Sequence, residues 1–470
     1  MAFQGQKRSP LLALPSELID EIFSYFTPER DFEADWRIKG APIEQYREDR
    51  NKRGRATLRK LCLVSKDVHR HAELALYSWV GVLGSPPDTK QLCAVLFKTS
   101  SNPRLAQSVK YVEYFSDRDD HQMLGAINEP EIRLAVETIA AETKGTEKLA
   151  QWRELFKLHV NASLVALILE HSSSLQHLSL TDRMQEMVQR DTPDPYRVFG
   201  ASLVPHFHFP KLQVLCLSLM QGSTAGDLSA FIRNLQTLPQ LRYLKLDCGG
   251  VGLNEADEKV TLEFPALRTI ILYAFGGSPK ILANFIDGCH ELQNISWPFF
   301  TSDHDGDRTL SADLSAMERA LEKHHASLRT LEIRLGFHHH RGRAAPLARL
   351  ANFPNLTKLT IDTVSLLGAP WSPNATSAES RWWYENTHFR LSQRLPPNIV
   401  ELSLYNYHYF EDGVLVLRDL AEDCERLPHL KTVRKSEYWL RPRIHEVQLA
   451  WRIRYRESSG YALLTLCANV

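Results

Sequence analysis

The apolar positions of this chain repeat a short phrase, L-x-x-L-x-L, whose last two members stand two residues apart. It reads Leu175-Leu178-Leu180, Leu212-Leu215-Leu217, Leu241-Leu244-Leu246, Leu267-Ile270-Leu272, Leu292-Ile295-Trp297, Leu328-Leu331-Ile333, Leu356-Leu359-Ile361, Ile399-Leu402-Leu404 and Leu430-Val433. Residues two apart share one face of a strand, so each copy predicts a short strand. Six copies share an entry, as in Phe209-Pro210-Lys211-Leu212, Phe264-Pro265-Ala266-Leu267 and Phe353-Pro354-Asn355-Leu356. Proline has no N–H for a ladder and belongs ahead of the strand. Between the copies, Leu164-Val165-Leu167-Ile168-Leu169, Leu228-Phe231-Ile232-Leu235, Ile281-Leu282-Phe285-Ile286 and Leu314-Met317-Leu321 carry three-and-four spacing and predict helices. The mean period is about 32 residues, within the range of stacked repeats. One strand-turn-helix unit cannot bury its own apolar face, but stacked units share a continuous core. The expected fold class is therefore α/β, a parallel sheet with helices on its outer side. Intervals between copies run from 25 residues (267 to 292) to 43 (356 to 399), which predicts a bent and uneven array.

Residues 11 to 77 follow another pattern. Pro15, Ser16 and Glu17 open a helix whose apolar face is Leu18, Ile19, Ile22, Phe23 and Phe26, with acidic residues placed where the helix dipole favours them. A second run puts Leu58, Leu61, Cys62, Ser65, Val68, Ala72 and Leu76 on one face. Two such helices make a small core and leave apolar edges. The predicted organisation is a disordered tail at 1–10, a helical module at 11–80 with a charged insertion at 28–56, a connecting helical segment at 81–104, the repeat array at 105–450 and a C-terminal cap at 451–470. The insertion reads as a solvated loop, part of it helical in pattern.

Composition narrows the function classes. Lys plus Arg and Asp plus Glu are 56 each in 470 residues, a formal net charge of zero, so nucleic acid and anionic membranes are disfavoured as main partners. No stretch approaches the roughly 20 apolar residues of a membrane span. Seven scattered cysteines without a C-x-x-C spacing point to reduced thiols and a cytoplasmic or nuclear setting.

Motifs for chemistry fail on spacing. His338-His339-His340 with His324 and His325 lacks a carboxylate or thiolate framework for a metal. Asp303, Asp305 and Asp307 alternate as in a calcium loop, but the glycine is misplaced and position twelve is Leu314. Gly250-Val251-Gly252 and Gly222-Ser223-Thr224-Ala225-Gly226 miss the dinucleotide and nucleophile patterns. Residues 431–457 interleave basic residues with Trp439 and Trp451; a weak RNA patch and a helical cap with a charged outer face are the two readings, and the cap fits better. No catalytic residue, metal or cofactor is expected.

The phrase L-x-x-L-x-L resembles the leucine-rich-repeat family over residues 105 to 450, counting Val109-Val112-Tyr114 as a degenerate early copy. The family's Asn or Cys three residues after the last leucine is absent here: position 183 is Arg and position 275 is Phe. LPSELIDEIFSYF and TLRKLCLVSKDVHRHAELALY resemble the two halves of an F-box. That resemblance implies binding of a Skp-type adaptor, and through it a cullin, by Leu14, Pro15, Leu18, Ile19, Ile22, Leu61, Val64 and Ser65. The two resemblances together imply the substrate-recognition subunit of a Skp/cullin/F-box-type ubiquitin ligase, with an unidentified protein bound on the repeat surface. The alternative is a leucine-rich-repeat scaffold unrelated to ubiquitin, in which the head is only a cap.

Strand residues that alternate with the leucines are expected on the concave face. They give Tyr243, Lys245, Asp247, Tyr273, Glu332, Arg334, Lys358, Asp362, Glu401 and Tyr405 as candidate substrate contacts, a mixture of aromatic and charged groups that protein interfaces use. Two aromatic runs, at 297–300 and 405–410, read as core extensions or recognition loops.

Overall fold

The computed structural model describes residues 10–27, 42–83, 89–116, 130–158, 160–182, 209–218, 232–247, 263–273, 279–298, 314–334, 342–343, 347–362, 365–366, 370–371, 391–405, 420, 423–436, 453–458 and 461–466. The chain is α/β and divides into two compact units, Met1–Leu217 and Ser218–Val470.

In the first unit a helical head precedes a parallel sheet. Helices α1 (Ser16–Ser24), α2 (Pro42–Leu61) and α3 (Lys66–Tyr77) enclose a core of Ile19, Phe23, Leu58, Val68 and Ala72. Pro15 is the N-cap of α1 rather than its first turn. Ser65 caps α3 by accepting a hydrogen bond from the Val68 N–H at 3.3 Å. His71 Nδ1 lies 2.6 Å from Asp20 Oδ1 and ties α3 to α1. The second half of the charged insertion, read from the sequence as a solvated loop that is helical in part, is the front of α2. It runs unbroken into the segment with Leu58, and Gly54 lets it close on α1: a Cβ there would lie 2.5 Å from the Phe26 carbonyl.

Strand β1 (Trp79–Leu83) follows directly. Helices α4 (Thr89–Ser101) and α5 (Pro103–Ser108) lead to β2 (Tyr111–Ser116). Helix α6 (Pro130–Leu158) is two helices merged across a kink at Gly145, where φ is 71°. Helix α7 (Val160–His171) precedes β3 (His177–Asp182), and β4 (Val214–Ser218) follows. The order β1-β2-β3-β4 is parallel throughout. The sheet thus starts at Trp79, ahead of the first recognisable leucine phrase, in a strand that straddles the expected boundary between the helical module (11–80) and the connecting segment (81–104). Tyr77-Val80-Val82 has the same three-then-two spacing with tyrosine in the leading place.

The second unit contains β5 (Tyr243–Asp247), β6 (Thr269–Tyr273), α8 (Pro279–Asp287), β7 (Asn294–Pro298), α9 (Ser315–Glu322), β8 (Thr330–Arg334), β9 (Lys358–Asp362), β10 (Glu401–Tyr405) and β11 (Thr432–Ser436). These strands pair in parallel from β5 to β11. Every predicted strand begins two residues after the first apolar residue of its phrase. The apolar positions stack in columns: Leu244, Ile270, Ile295, Leu331, Leu359, Leu402 and Val433 are at most 1% exposed. Helices α8 and α9 close over them with Ile281, Leu282, Phe285, Ile286, Met317 and Leu321.

The proline entry is a β-turn. Leu212 N–H donates to the Phe209 carbonyl at 3.1 Å, Leu241 to Leu238 at 3.2 Å, and Leu356 to Phe353 at 3.3 Å, each with proline second in the turn, where its fixed φ is already correct. The next residue's carbonyl then accepts two N–H groups from the following repeat. That of Arg268, for example, takes Gln293 at 2.8 Å and Asn294 at 3.0 Å. Neighbouring repeats are locked in register before the strands begin.

Where a helical cap is expected over 431–457, the described elements of that stretch and of the C-terminal cap are strands. Strands β12 (Ile453–Ser458) and β13 (Tyr461–Leu466) form an antiparallel pair, and β13 adds to β11 in antiparallel sense. The cause is legible in alternation: Ile453-Arg454-Tyr455-Arg456 has period two, and Ser459-Gly460 between the strands is a turn dipeptide. Among the described residues no helix is long and apolar enough to cross a membrane.

Candidate functional site

The head carries an unfilled apolar edge. Leu14 is 38% exposed, Leu18 46%, Val64 67% and Leu63 87%, while the core beneath them is complete. They come from two places: the turn entering α1 and its first residues, and the turn 61–64 that joins α2 to α3. Of the residues named from the F-box resemblance, Pro15 and Ser65 are exposed, Ile22 and Leu61 are half-buried, and Ile19 is 3% exposed. Ile19 therefore serves the head's own core, and Ser65 spends its hydroxyl oxygen on the α3 cap. Sequence reasoning missed Leu63 and Tyr25, the latter 73% exposed. The available signal was an apolar residue standing off the three-and-four core spacing.

Below the head, a polar cluster joins α2 to the first strands. The Arg55 guanidinium sits 4.3 Å from the Trp79 ring centre, and its Nη2 donates to the Trp79 carbonyl at 3.4 Å. Trp79 Nε1 donates to Glu113 Oε2 at 3.2 Å, and His177 Nε2 lies 3.4 Å from Glu113 Oε1. Register explains the meeting: Trp79, Tyr111 and His177 are directly paired across β1, β2 and β3, and Glu113 is opposite Gly81. Gly81 is needed there, since a Cβ would lie 2.5 Å from the Trp79 indole. Burial pulls the Arg55 guanidinium down to about 10, with Arg59 acting in the same direction and Glu113 against it.

On the alternate face of the second unit the candidate contacts form rows. One row is Lys245, Ile271, Ser296, Glu332, Thr360 and Ser403; Asp247 stands beside Tyr273, and Asp362 beside Tyr405. Lys245 Nζ stands 5.4 Å from the Tyr273 ring centre. Burial raises the Tyr273 phenol, and Glu332 and Asp247 add to the shift against Arg334. Ser296 Oγ donates to Glu332 Oε2 at 2.6 Å, Glu332 pairs with Arg334, and Lys358 pairs with Glu401.

These positions are less open than alternation implies. Tyr243 is 7% exposed, Glu332 9% and Asp362 1%. Parallel strands stand about 4.8 Å apart, so each side chain is shaded by its neighbours in the row. Asp362 is moreover committed to Ser365, accepting from its N–H at 2.6 Å and its hydroxyl at 2.8 Å. Lys245, Asp247, Tyr273, Arg334, Lys358 and Glu401 are half-buried. The Tyr405 side chain lies outside the described residues, as do those of 299–300 and 406–410, the His338–His340 run and the Asp303–Asp307 loop.

His324 is structural. It is 1% exposed, its Nδ1 accepts from the Leu292 N–H at 3.3 Å and its Nε2–H donates to the Ile286 carbonyl at 3.0 Å. Burial lowers its pKa, and the bond to Ile286 works against that shift. Among the described residues no cluster of His, Cys, Asp or Glu forms a metal site. No family model matches this chain, and a search of curated proteins finds no significant relative.

Proposed function

We propose that the chain is the substrate-recognition subunit of a Skp/cullin/F-box-type ubiquitin ligase, an F-box head followed by irregular leucine-rich repeats. One observation carries the proposal. A head with a finished core leaves Leu14, Leu18, Leu63 and Val64 in water on adjoining turns, where an adaptor helix or loop would cover them. Burying what is now exposed is worth on the order of 4–7 kcal/mol gross, short of the roughly 8 kcal/mol of a micromolar complex. The adaptor must therefore also engage half-buried Ile22 and Leu61 and the polar groups around them. Helix α2 supports the same view, since its Arg55 is directed to β1 and not to this edge. In this reading the chain performs no bond chemistry; it holds a protein within reach of a ligase assembled on its partners.

The test is co-expression with a Skp-type adaptor and a stoichiometry measurement on the purified complex. Leu18→Asp and Val64→Asp change exposed positions, so the fold should survive while the adaptor is lost. A well-folded wild-type chain that never retains adaptor refutes the receptor and leaves the scaffold, in which the head serves only to close the first strands.

A further inference from the structure

The strand face of the second unit is internally neutralised, but its entry rim is not. The residues immediately before β5 to β11 are Arg242, Arg268, Gln293, Arg329, Thr357, Val400 and Lys431, four cations and no acid in one row. Their backbones are fixed, because each carbonyl from Arg242 to Val400 accepts two N–H groups of the next repeat at 2.8–3.1 Å. Arg268 is occupied by Glu291, with Nη2 at 2.8 Å from Oε2. Arg242 and Arg329 are exposed and have no acidic partner among the described residues. Between the rims of β7, β8 and β9 lies an open groove of about 600 Å³, lined by Glu291, Gln293, Ser327, Arg329, Asn355 and Thr357. Its edges are held firmly: Asn355 Nδ2 donates to the Ala326 carbonyl and Ser327 Oγ to the Leu292 carbonyl, both at 2.7 Å.

We propose that this rim binds an extended anionic peptide segment, with Arg242 and Arg329 taking two acidic groups and the amide and hydroxyl groups of the groove taking its backbone. The proposal rests on the receptor reading above and names the class of target it would hold. The spacing follows from strand geometry. Arg242 and Arg329 are three strands apart, about 14 Å, and four residues of extended chain span about the same distance. Acidic groups at positions i and i+4 of the peptide therefore match the two arginines. Carboxylates and phosphates share the required chemistry, and arginine forks accept both.

Fluorescence anisotropy on the full-length protein tests this with short Gly-Ser peptides bearing two glutamates, two phosphoserines or two glutamines four positions apart. The expected result is binding of an anionic peptide that weakens with salt, is about tenfold or more weaker for Arg242→Glu/Arg329→Glu, and is absent for the glutamine peptide. Preference for phosphoserine over glutamate identifies a modified target, and equal binding an acidic one. A peptide with two lysines at the same spacing should bind the charge-reversed variant, which also shows that the variant is folded. Equal binding of all three peptides, or anionic binding untouched by the double substitution, overturns the proposal. Adaptor co-purification is scored separately, so a rim that fails and a head that fails give different results.

Discussion

His324→Phe should cost the second unit about 2–4 kcal/mol, although the position resembles neither a core leucine nor a functional histidine. Most entries to a strand are closed by a β-turn in which the first leucine's N–H meets the carbonyl three residues back. At Leu292 the sequence is Cys289-His290-Glu291-Leu292, without proline, and its N–H goes to His324 Nδ1 instead. Phenylalanine keeps the ring volume and removes both bonds. The Ile286 carbonyl retains a second donor, the Cys289 N–H at 3.0 Å, so its loss is an ordinary hydrogen bond of about 0.5–1.5 kcal/mol. The Leu292 N–H is left buried without an acceptor, about 1–3 kcal/mol more. For a unit of this size the melting point should fall by on the order of 5–10 °C. Hydrogen exchange at residues 286–292 should accelerate before the rest of the unit opens. Acid provides a second arm. Burial lowers the folded-state pKa, so the unfolded chain takes up the proton first. The stabilisation is whole above the ordinary histidine pKa of about 6.5 and is lost as pH falls from there towards the folded-state pKa. The variant should lack this share of the acid sensitivity. An unchanged melting point with unchanged exchange at Leu292 would refute the assignment of His324 as a turn substitute.

Gly81→Val should push the Trp79 indole off Glu113, shifting tryptophan emission and destabilising the first unit by about 1–3 kcal/mol; an unshifted spectrum contradicts the packing. Arg55→Ala removes the cation over Trp79 and should cost about 0.5–2 kcal/mol, with faster exchange in the second half of α2 as the readout. Cys93, pushed up to about 11 by burial, and Cys289, raised further by the same cause, should react with maleimide only on unfolding, whereas half-buried Cys62 and Cys216 should react before them. Rapid labelling of Cys289 in the folded protein would contradict its placement.

The sheet was legible because its signal is periodic. Ten apolar phrases, including the degenerate one at Val109, all become parallel strands, and the proline entries become the turns that start them. Strand β1 was not legible, since tyrosine and valine replace the leucines, and the terminal hairpin was hidden by a charge pattern that a helix would also show. Asn355 and Asn398 stand in the entry turns, and each donates through Nδ2 to a carbonyl of the preceding turn, Ala326 and Pro354, at 2.7 Å. At the candidate site, alternation gave the direction of the side chains but not their exposure, because exposure depends on what stands one strand away. Asp362 and Ser365 are three residues apart in sequence, yet only the fold makes that aspartate a brace.

The charged insertion has a consequence for how the first unit acts. A loop of 28–56 would leave the head joined to the rest of the unit by the Ser78 junction and by α3, whose Glu73 pairs with Lys98 of α4 at 3.7 Å, with no contact from the insertion itself. Instead, α2 carries Arg55 onto Trp79, Trp79 reaches Glu113, and Glu113 meets His177, so one chain of contacts crosses from the head through β1 and β2 to β3. Every member of that chain except Arg55 is buried, with Trp79 at 5%, Glu113 at 7% and His177 at 3% exposed. Removing any one leaves a charge or donor in a low-dielectric setting, which is costlier than losing a surface pair. The exposed edge of Leu18, Leu63 and Val64 is thereby held at a fixed angle to the first strands. Under the proposed receptor function, an adaptor on that edge would be held in register with the first strands through these contacts. Replacing Glu113 by Gln should loosen both ends at once, raising exchange in α2 and β3 together; exchange rising in β3 alone would break the proposed continuity.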